Sequence, residues 1–390
     1  MPKREILQKT AAYIICIVLL AAGYFYSENL QYSGNMETEV LTKGKVLSVR
    51  EMDIPEEERF VPEEKQYEVQ VEISKGEFRG RQVTCIHYEG SNPAYDFSVF
   101  TGDEVVLSLE VEDFVLKEAY ISSPSREIYL YVLIVAFALC IILIGHRQGV
   151  KTLLSLIFTG WAVITILLPA ILAGKNPIVV SVIVSALITI ITHMLISGFT
   201  KKSLAAISGT IIGVVLGGLL AKYMIYLTRV NGLGSEEGRL FFFTYAEGKL
   251  DFTGILFAGI VIGSLGAVMD VAMSISSALS EIHCVKPELT FGQLFRSGLN
   301  IGRDIIGTMS NTLILAYTGG SLSLMLLLMA NNIPYLKYIN LDTIASEVIR
   351  AFSGSIGLFL AVPATALLSA ALCRFPERKA GRGGRIFQER

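Results

Sequence analysis

Phe252-Thr-Gly-Ile-Leu-Phe-Ala-Gly-Ile-Val-Ile-Gly-Ser-Leu-Gly-Ala-Val-Met-Asp-Val-Ala-Met-Ser-Ile-Ser-Ser-Ala-Leu279 is a run of 28 residues with one ionisable side chain, Asp270. About 20 apolar residues in a helix cross the hydrocarbon core of a bilayer, so this run reads as a transmembrane helix. Seven more candidates surround it: Ala11–Tyr26, Ile128–Gly145, Thr152–Leu172, Pro177–Gly198, Ser203–Thr228, Ile305–Ala330 and Ile349–Leu372. The pattern predicts a polytopic α-helical membrane protein with about eight transmembrane helices. Composition agrees, since 17% of the residues are charged where a soluble domain carries about 25%.

The formal charge of −2 conceals a division. Residues 28–127 carry 10 Lys/Arg against 22 Asp/Glu, a net −12, and the other residues carry +10. Within 28–127, Lys45–Arg50, Gln66–Ser74, Gly80–Ile86, Thr101–Leu109 and Val115–Ile121 read as strands, the second and third forming a hairpin. Five strands in so short a block predict a small all-β domain of OB type. Pro55–Pro62, rich in Glu, reads as a loop. The acidic residues are dispersed without calcium-loop spacing, and His87 is the block's one histidine, so no metal site is expected.

Basic residues orient the chain. With the N-terminus inside, 16 Lys/Arg fall in the inner segments and seven in the short outer loops, counting Lys222 at a helix end. The expected order is therefore a membrane anchor at 1–27, an extracytoplasmic acidic β domain at 28–127, a seven-helix region at 128–373 and a basic cytoplasmic tail at 374–390. Both termini face the cytoplasm. The segment after Met1-Pro-Lys-Arg lacks a clear small-x-small cleavage site, so it reads as a retained anchor rather than a signal peptide. The five cysteines are scattered, with only Cys85 in the outer block; they read as apolar filler. Nucleic acid is not an expected partner, because the dense basic stretch is confined to the tail.

Polar residues inside a span are expensive and so are functional candidates. At 3.6 residues per turn Gly259, Gly263, Gly266, Asp270, Ser274, Ser277 and Glu281 share one face. On the next span Asp304, Thr308, Asn311 and Thr318 lie near one face. Measured from Glu281 and Arg303, Asp270 and Asn311 lie at depths of about 16 and about 12 Å. Asp270, Ser274, Ser277, Asp304, Thr308 and Asn311 are thus expected to line one polar path. For the hydroxyls the plainer reading is hydrogen bonding between helices. For Asp304 it is an acid complementing a helix N-terminus.

Other signals have structural readings. Gly209, Gly213, Gly217 and Ala221 recur every fourth residue, a close-packing face. His193, beside Thr189 and Thr192, reads as a hydrogen-bonded structural histidine. Thr290-Phe-Gly-Gln293 has capping-box spacing, and Phe291, Leu294, Phe295, Gly298 and Leu299 follow at helical intervals. The stretch 290–301 reads as a short amphipathic helix on the inner membrane surface, open to a cytoplasmic partner. Glu347 and Arg350 are placed to pair near the outer boundary.

Gly266-Ala-Val-Met-Asp-Val-Ala-Met-Ser-Ile-Ser-Ser-Ala-Leu279 and Gly307-Thr-Met-Ser-Asn-Thr-Leu-Ile-Leu-Ala-Tyr317 resemble the YibE/F family of bacterial multi-pass membrane proteins. The anchor, outer β domain and helical region resemble its longer, YibE-like members. The resemblance implies a bacterial cytoplasmic membrane and assigns no catalytic residue.

No catalytic motif marks the chain as an enzyme: it has no His-Glu-x-x-His helix and no Gly-x-Ser-x-Gly elbow. No cofactor is expected. The function expected first is a transporter or permease for a small solute or ion, proton-coupled through Asp270. The alternative is an accessory or sensory scaffold whose outer domain binds a partner or envelope component. The bilayer is the expected environment, and a homo-oligomer or a second family member the expected protein partner.

Overall fold

The computed structural model describes residues 40–52, 65–90, 96–112, 115–246 and 250–374. The anchor, the Pro55–Pro62 loop and the tail beyond Arg374 lie outside them. The described residues divide into two compact units, one up to Cys140 and one from Ile141.

The first unit contains β1 (Val40–Met52), β2 (Lys65–Ile73), β3 (Gln82–Glu89), β4 (Glu104–Glu112) and β5 (Val115–Pro124). They form one antiparallel sheet in the order β3-β2-β1-β4-β5, with β3 and β5 returning beside each other, so the sheet nearly closes. The expected hairpin is present, with Val69 opposite Cys85 and Val71 opposite Val83. Alternation decides what is buried. Val69, Val71 and Ile73 point into a core shared with Val46, Cys85, Leu107 and Leu109, while Gln70 and Glu72 between them face out. His87 joins this core: its Nε2 donates to the Phe97 carbonyl at 2.7 Å and its ring lies 4.7 Å from that of Phe97.

Cys85 is 1% exposed, in keeping with its role as apolar filler. Burial pushes its thiol from 9.0 up to about 11. The folded state therefore holds the proton more tightly than the unfolded state. Its contribution to stability is complete below pH 9 and fades as pH rises through about 11. At pH 8 a maleimide is expected to modify native Cys85 at least about 100-fold more slowly than in denaturant, read by peptide mass mapping. Equal rates would contradict the buried placement.

The second unit is helical. Among the described residues five helices are long and apolar enough to cross a membrane, or six if one bent pair forms a single span. The apolar stretch Glu127–Leu172 starts with α1 (Glu127–Ala162) and passes through a π-helical turn, Val163–Leu167, into α2 (Leu168–Leu172). It is interrupted at His146 (φ 48°, ψ −125°), between the two runs the sequence separates. Just beyond, a Cβ on Gly149 would come 2.9 Å from the carbonyl carbon of Ile141, so only glycine allows this approach of backbone to backbone.

α3 (Pro177–Ser197) starts where the Asn176 side chain accepts from the Ile178 and Val179 amides, with Pro177 in the first turn. α4 (Lys201–Thr228) is capped by Thr200. Asp251 caps α6 (Phe252–Val285), which follows the short α5 (Glu236–Phe241). α7 (Phe291–Gly320) opens on the expected capping box: the Thr290 amide donates to Gln293 Oε1 at 2.8 Å, and the Gln293 amide to Thr290 Oγ1 at 3.3 Å. Next come α8 (Leu322–Ala330), bent by 59° from α7, then α9 (Tyr335–Ile339) and α10 (Asp342–Arg374).

The structure differs from the sequence expectation at 290–301. That stretch does not form a short helix of its own but opens the 30-residue α7, making its first three turns. Its apolar side packs on the bundle: Leu294 is fully buried, and a Cβ on Gly298 would come 2.8 Å from Ala366 Cβ and from Leu279 Cδ1. With no proline between Phe291 and Gly320, nothing ends the helix early.

α4, α6 and α10 pack against one another at the centre, flanked by α3 and α7. The glycine face of α4 meets α10. A Cβ on Gly213 would come 2.6 Å from Ala361 Cβ and 2.9 Å from the Gly357 carbonyl oxygen, and one on Gly217 would come 2.9 Å from Gly357 Cα. Backbones this close gain dispersion contacts that larger side chains would forbid.

Candidate functional site

α6 buries Val268, Val271, Ala272, Ile275 and Leu279 completely. One half-turn round the helix, Gly259, Gly263, Gly266, Asp270, Ser274 and Glu281 are exposed and Ser277 is half-buried. The polar stripe is therefore a single face of α6, and it is the face the bundle leaves open. Two contacts bound it. On one side Ser197 of α3 lies 3.9 Å from the sulfur of Met273. On the other, Tyr317 of α7 brings its hydroxyl to where a Cβ on Gly263 would stand 3.1 Å away.

α7 crosses beside α6 in antiparallel fashion. A Cβ on Gly302 would lie 3.3 Å from Ile275 Cδ1, which together with the Tyr317–Gly263 approach sets the register. Thr308 comes level with Asp270 and Asp304 level with Ser274, while Asn311 lies about one turn nearer Gly263. The faces do not converge, however. α7 turns Leu294, Gly298, Gly302 and Leu313 to the bundle and leaves Asp304, Thr308 and Asn311 exposed on the opposite side. Thr308 bonds to its own helix, donating to the Ile305 carbonyl at 3.0 Å, and Arg303 donates to Asn300. None of the hydrogen bonds or ion pairs among the described residues joins Asp270 to α7.

His193 is 2% exposed, yet neither ring nitrogen has a partner among the described residues. It lies beside Thr192, which accepts from Ser155 at 2.9 Å, and Thr189, which donates to the Ser185 carbonyl at 2.7 Å. The expected hydrogen bond to the histidine is not formed. Glu347 and Arg350 do pair, at 3.2 Å.

Sequence reasoning missed two features. A cavity of about 650 Å³ opens among Ile178, Lys222, Arg229, Asn231, Thr253 and Phe257, and it holds none of the six path residues. Tyr317 also joins the Glu347–Arg350 region. A Cβ on Gly354, one turn on from Arg350, would stand 3.8 Å from the Tyr317 hydroxyl. No periodicity could show either, because each joins residues from separate helices. Among the described residues no group of three or more His, Cys, Asp or Glu is arranged to hold a metal ion.

Long apolar helices, packed through small residues and carrying polar faces on two of their number, fit the class of membrane proteins. Residues 133–375 match the YibE/F-like protein family, and the chain belongs to it. No curated protein and no solved structure matches the chain.

Proposed function

We propose that the protein is a permease of the bacterial cytoplasmic membrane, moving a small solute or ion along the open face of α6, with Asp270 taking up and releasing a proton. In this reading the chain crosses the membrane eight times with both termini inside. The nearly closed sheet stands outside, and its strand order supports an OB-type barrel. The break at His146 supports two crossings within Glu127–Leu172.

The observation that carries the reading is the exposure of Asp270 on a small and polar stripe of an otherwise apolar helix. A carboxylate facing acyl chains at mid-helix costs about 3 kcal/mol on insertion scales. Water or protein must therefore cover that face. The stripe has room for either: a Cβ at Gly259 or Gly266 would meet nothing within 4 Å. In our reading a second copy or another family member closes the faces of α6 and α7, and the passage runs along the seam. Ser274, Ser277, Asp304, Thr308 and Asn311 then supply hydrogen bonds to the solute or its water.

The test is a solute panel in proteoliposomes across a pH gradient, wild type beside Asp270→Asn. Uptake lost in the variant supports the proposal. No solute moving under any gradient contradicts it. The outward polar face of α7 favours a second reading, an accessory scaffold docked through that face. Under it Asp270→Asn leaves the cellular phenotype intact, while deletion of 28–127 abolishes it.

A further inference from the structure

Arg350 and Tyr317 each bury a hydrogen-bond donor that finds no acceptor among the described residues: the Nε of the guanidinium and the phenolic hydroxyl. Burying a donor unpaired costs about 1–3 kcal/mol, and more for a charged group. Two such donors in one place are an expense the fold gains nothing from unless something else accepts from them.

They do lie in one place. Glu347, Arg350 and Gly354 follow one another at i, i+3 and i+7 on α10, a single helix face. Gly354 leaves the gap that Tyr317 fills from α7, and Gly263 on α6 leaves the matching gap, a Cβ there standing 3.1 Å from the hydroxyl. A Cβ on Gly354 would also meet Ser264 Cβ at 3.1 Å, so three helices meet round this hydroxyl. It sits close enough to feel both charges of the Glu347–Arg350 pair. Glu347 holds the guanidinium through Nη1, which leaves the Nε edge free. The side chains of Arg350 and Glu347 are 34% and 27% exposed, so the pair stands at the edge of the bundle, while Nε and the Tyr317 hydroxyl are themselves covered.

We infer that Tyr317 and Arg350 form a binding site for an oxyanion, a carboxylate or phosphate group, at the end of the α6 stripe remote from Glu281. A guanidinium has no acceptor and presents two parallel N–H bonds along each edge, the geometry that pairs with two oxygens of one anion. With Glu347 on Nη1, the opposite edge takes the ligand and the Tyr317 hydroxyl donates to a further oxygen. The guanidinium keeps its proton throughout. The stripe runs from Gly263, beside Tyr317, to Asp270 about 10 Å further along the helix. The inference deepens the permease reading and rests on it for the site's purpose, naming small organic acids or phosphate as the solute class. Binding itself does not require Asp270.

The full-length protein in detergent is titrated with acetate, succinate and inorganic phosphate, read by calorimetry and by the unfolding midpoint. A parallel series in nanodiscs compares phosphatidylglycerol with phosphatidylcholine. Wild type is expected to bind at least one free anion. Tyr317→Phe and Arg350→Lys are expected to weaken it at least tenfold, and Ile183→Ala, at an exposed apolar position on α3, to leave it unchanged. Tyr317→Phe keeps the ring and removes a hydroxyl without a partner, so it folds like wild type. A response to phosphatidylglycerol alone, lost in both variants, assigns the oxyanion to a lipid headgroup and overturns the solute role. Failure of all anions to bind, or binding indifferent to both variants, overturns the site. Anion binding that survives in Asp270→Asn while uptake is also unchanged leaves the site standing and removes the proton coupling.

Discussion

Replacing Gly217 by valine is expected to abolish the folded protein, with no monodisperse species surviving purification in detergent. A Cβ at this position would stand 2.9 Å from Gly357 Cα and 3.1 Å from the Ser353 carbonyl oxygen, both backbone atoms that cannot rotate away. Two further methyl groups force α4 off α10 along the line that includes Gly209 and Gly213. Overpacking in a rigid core costs about 1–3 kcal/mol, but that range describes sites where side chains can yield. Here whole helices must separate and the contacts of the central trio go with them. Against a total stability of about 5–15 kcal/mol this is decisive. Gly259→Val serves as the control, because a Cβ there meets nothing within 4 Å; that variant is expected to fold. Equal behaviour of the two would contradict the packing.

The second large effect is on transport. Asp270→Asn is expected to lower proton-driven uptake at least about 100-fold while shifting the unfolding free energy by less than about 0.5 kcal/mol. The amide matches the carboxyl in size and can donate and accept hydrogen bonds, but it cannot take up and release a proton. Stability is spared because no hydrogen bond or ion pair among the described residues involves this side chain, and its position is exposed. The two readouts separate a proton carrier from a packing residue. Large destabilisation with residual uptake in the surviving protein would point to packing. Uptake that loses its dependence on the pH gradient but persists down a solute gradient would locate the defect in coupling alone.

What the sequence could reveal followed from periodicity. Alternation in Gln66–Ser74 and Gly80–Ile86 placed Val69, Val71 and Cys85 on one side of a hairpin, since a pleated strand leaves no other arrangement. The four-residue recurrence on α4 predicted a close helix contact, though not that its partner would be α10, more than a hundred residues away. The α6 stripe was equally legible, because seven small or polar residues at helical spacing can only be one face. Where that face points was not. In lipid an apolar side chain is content either outside or inside the bundle, so hydropathy does not reveal which side of a span packs. α7 shows the consequence. Its bundle side is Leu294, Gly298, Gly302 and Leu313, and its polar residues look outward. The same ambiguity made its first turns resemble a surface helix: the capping box at Thr290 and the repeat Phe291, Leu294, Phe295 and Leu299 suggested one, yet the helix continues unbroken to Gly320.

The anion site illustrates a different limit. Tyr317 and Arg350 are ordinary residues in their own helices, and Glu347 already gives the arginine a local partner. Only the crossing of α6, α7 and α10 shows that two donors are left over, which no single helix pattern contains.

The direct test of the whole account is whether water reaches the α6 stripe in the membrane. Single cysteines are placed at Gly266 and Ser274, with Ile183 on α3, 61% exposed and flanked by apolar neighbours, as the lipid-facing control. The background lacks the native cysteines. Intact vesicles are then treated with a membrane-impermeant, charged thiol reagent. Rapid modification at 266 and 274, with none at 183, is the predicted result. All three inert alike would mean that water does not reach the stripe, and that no passage follows this face.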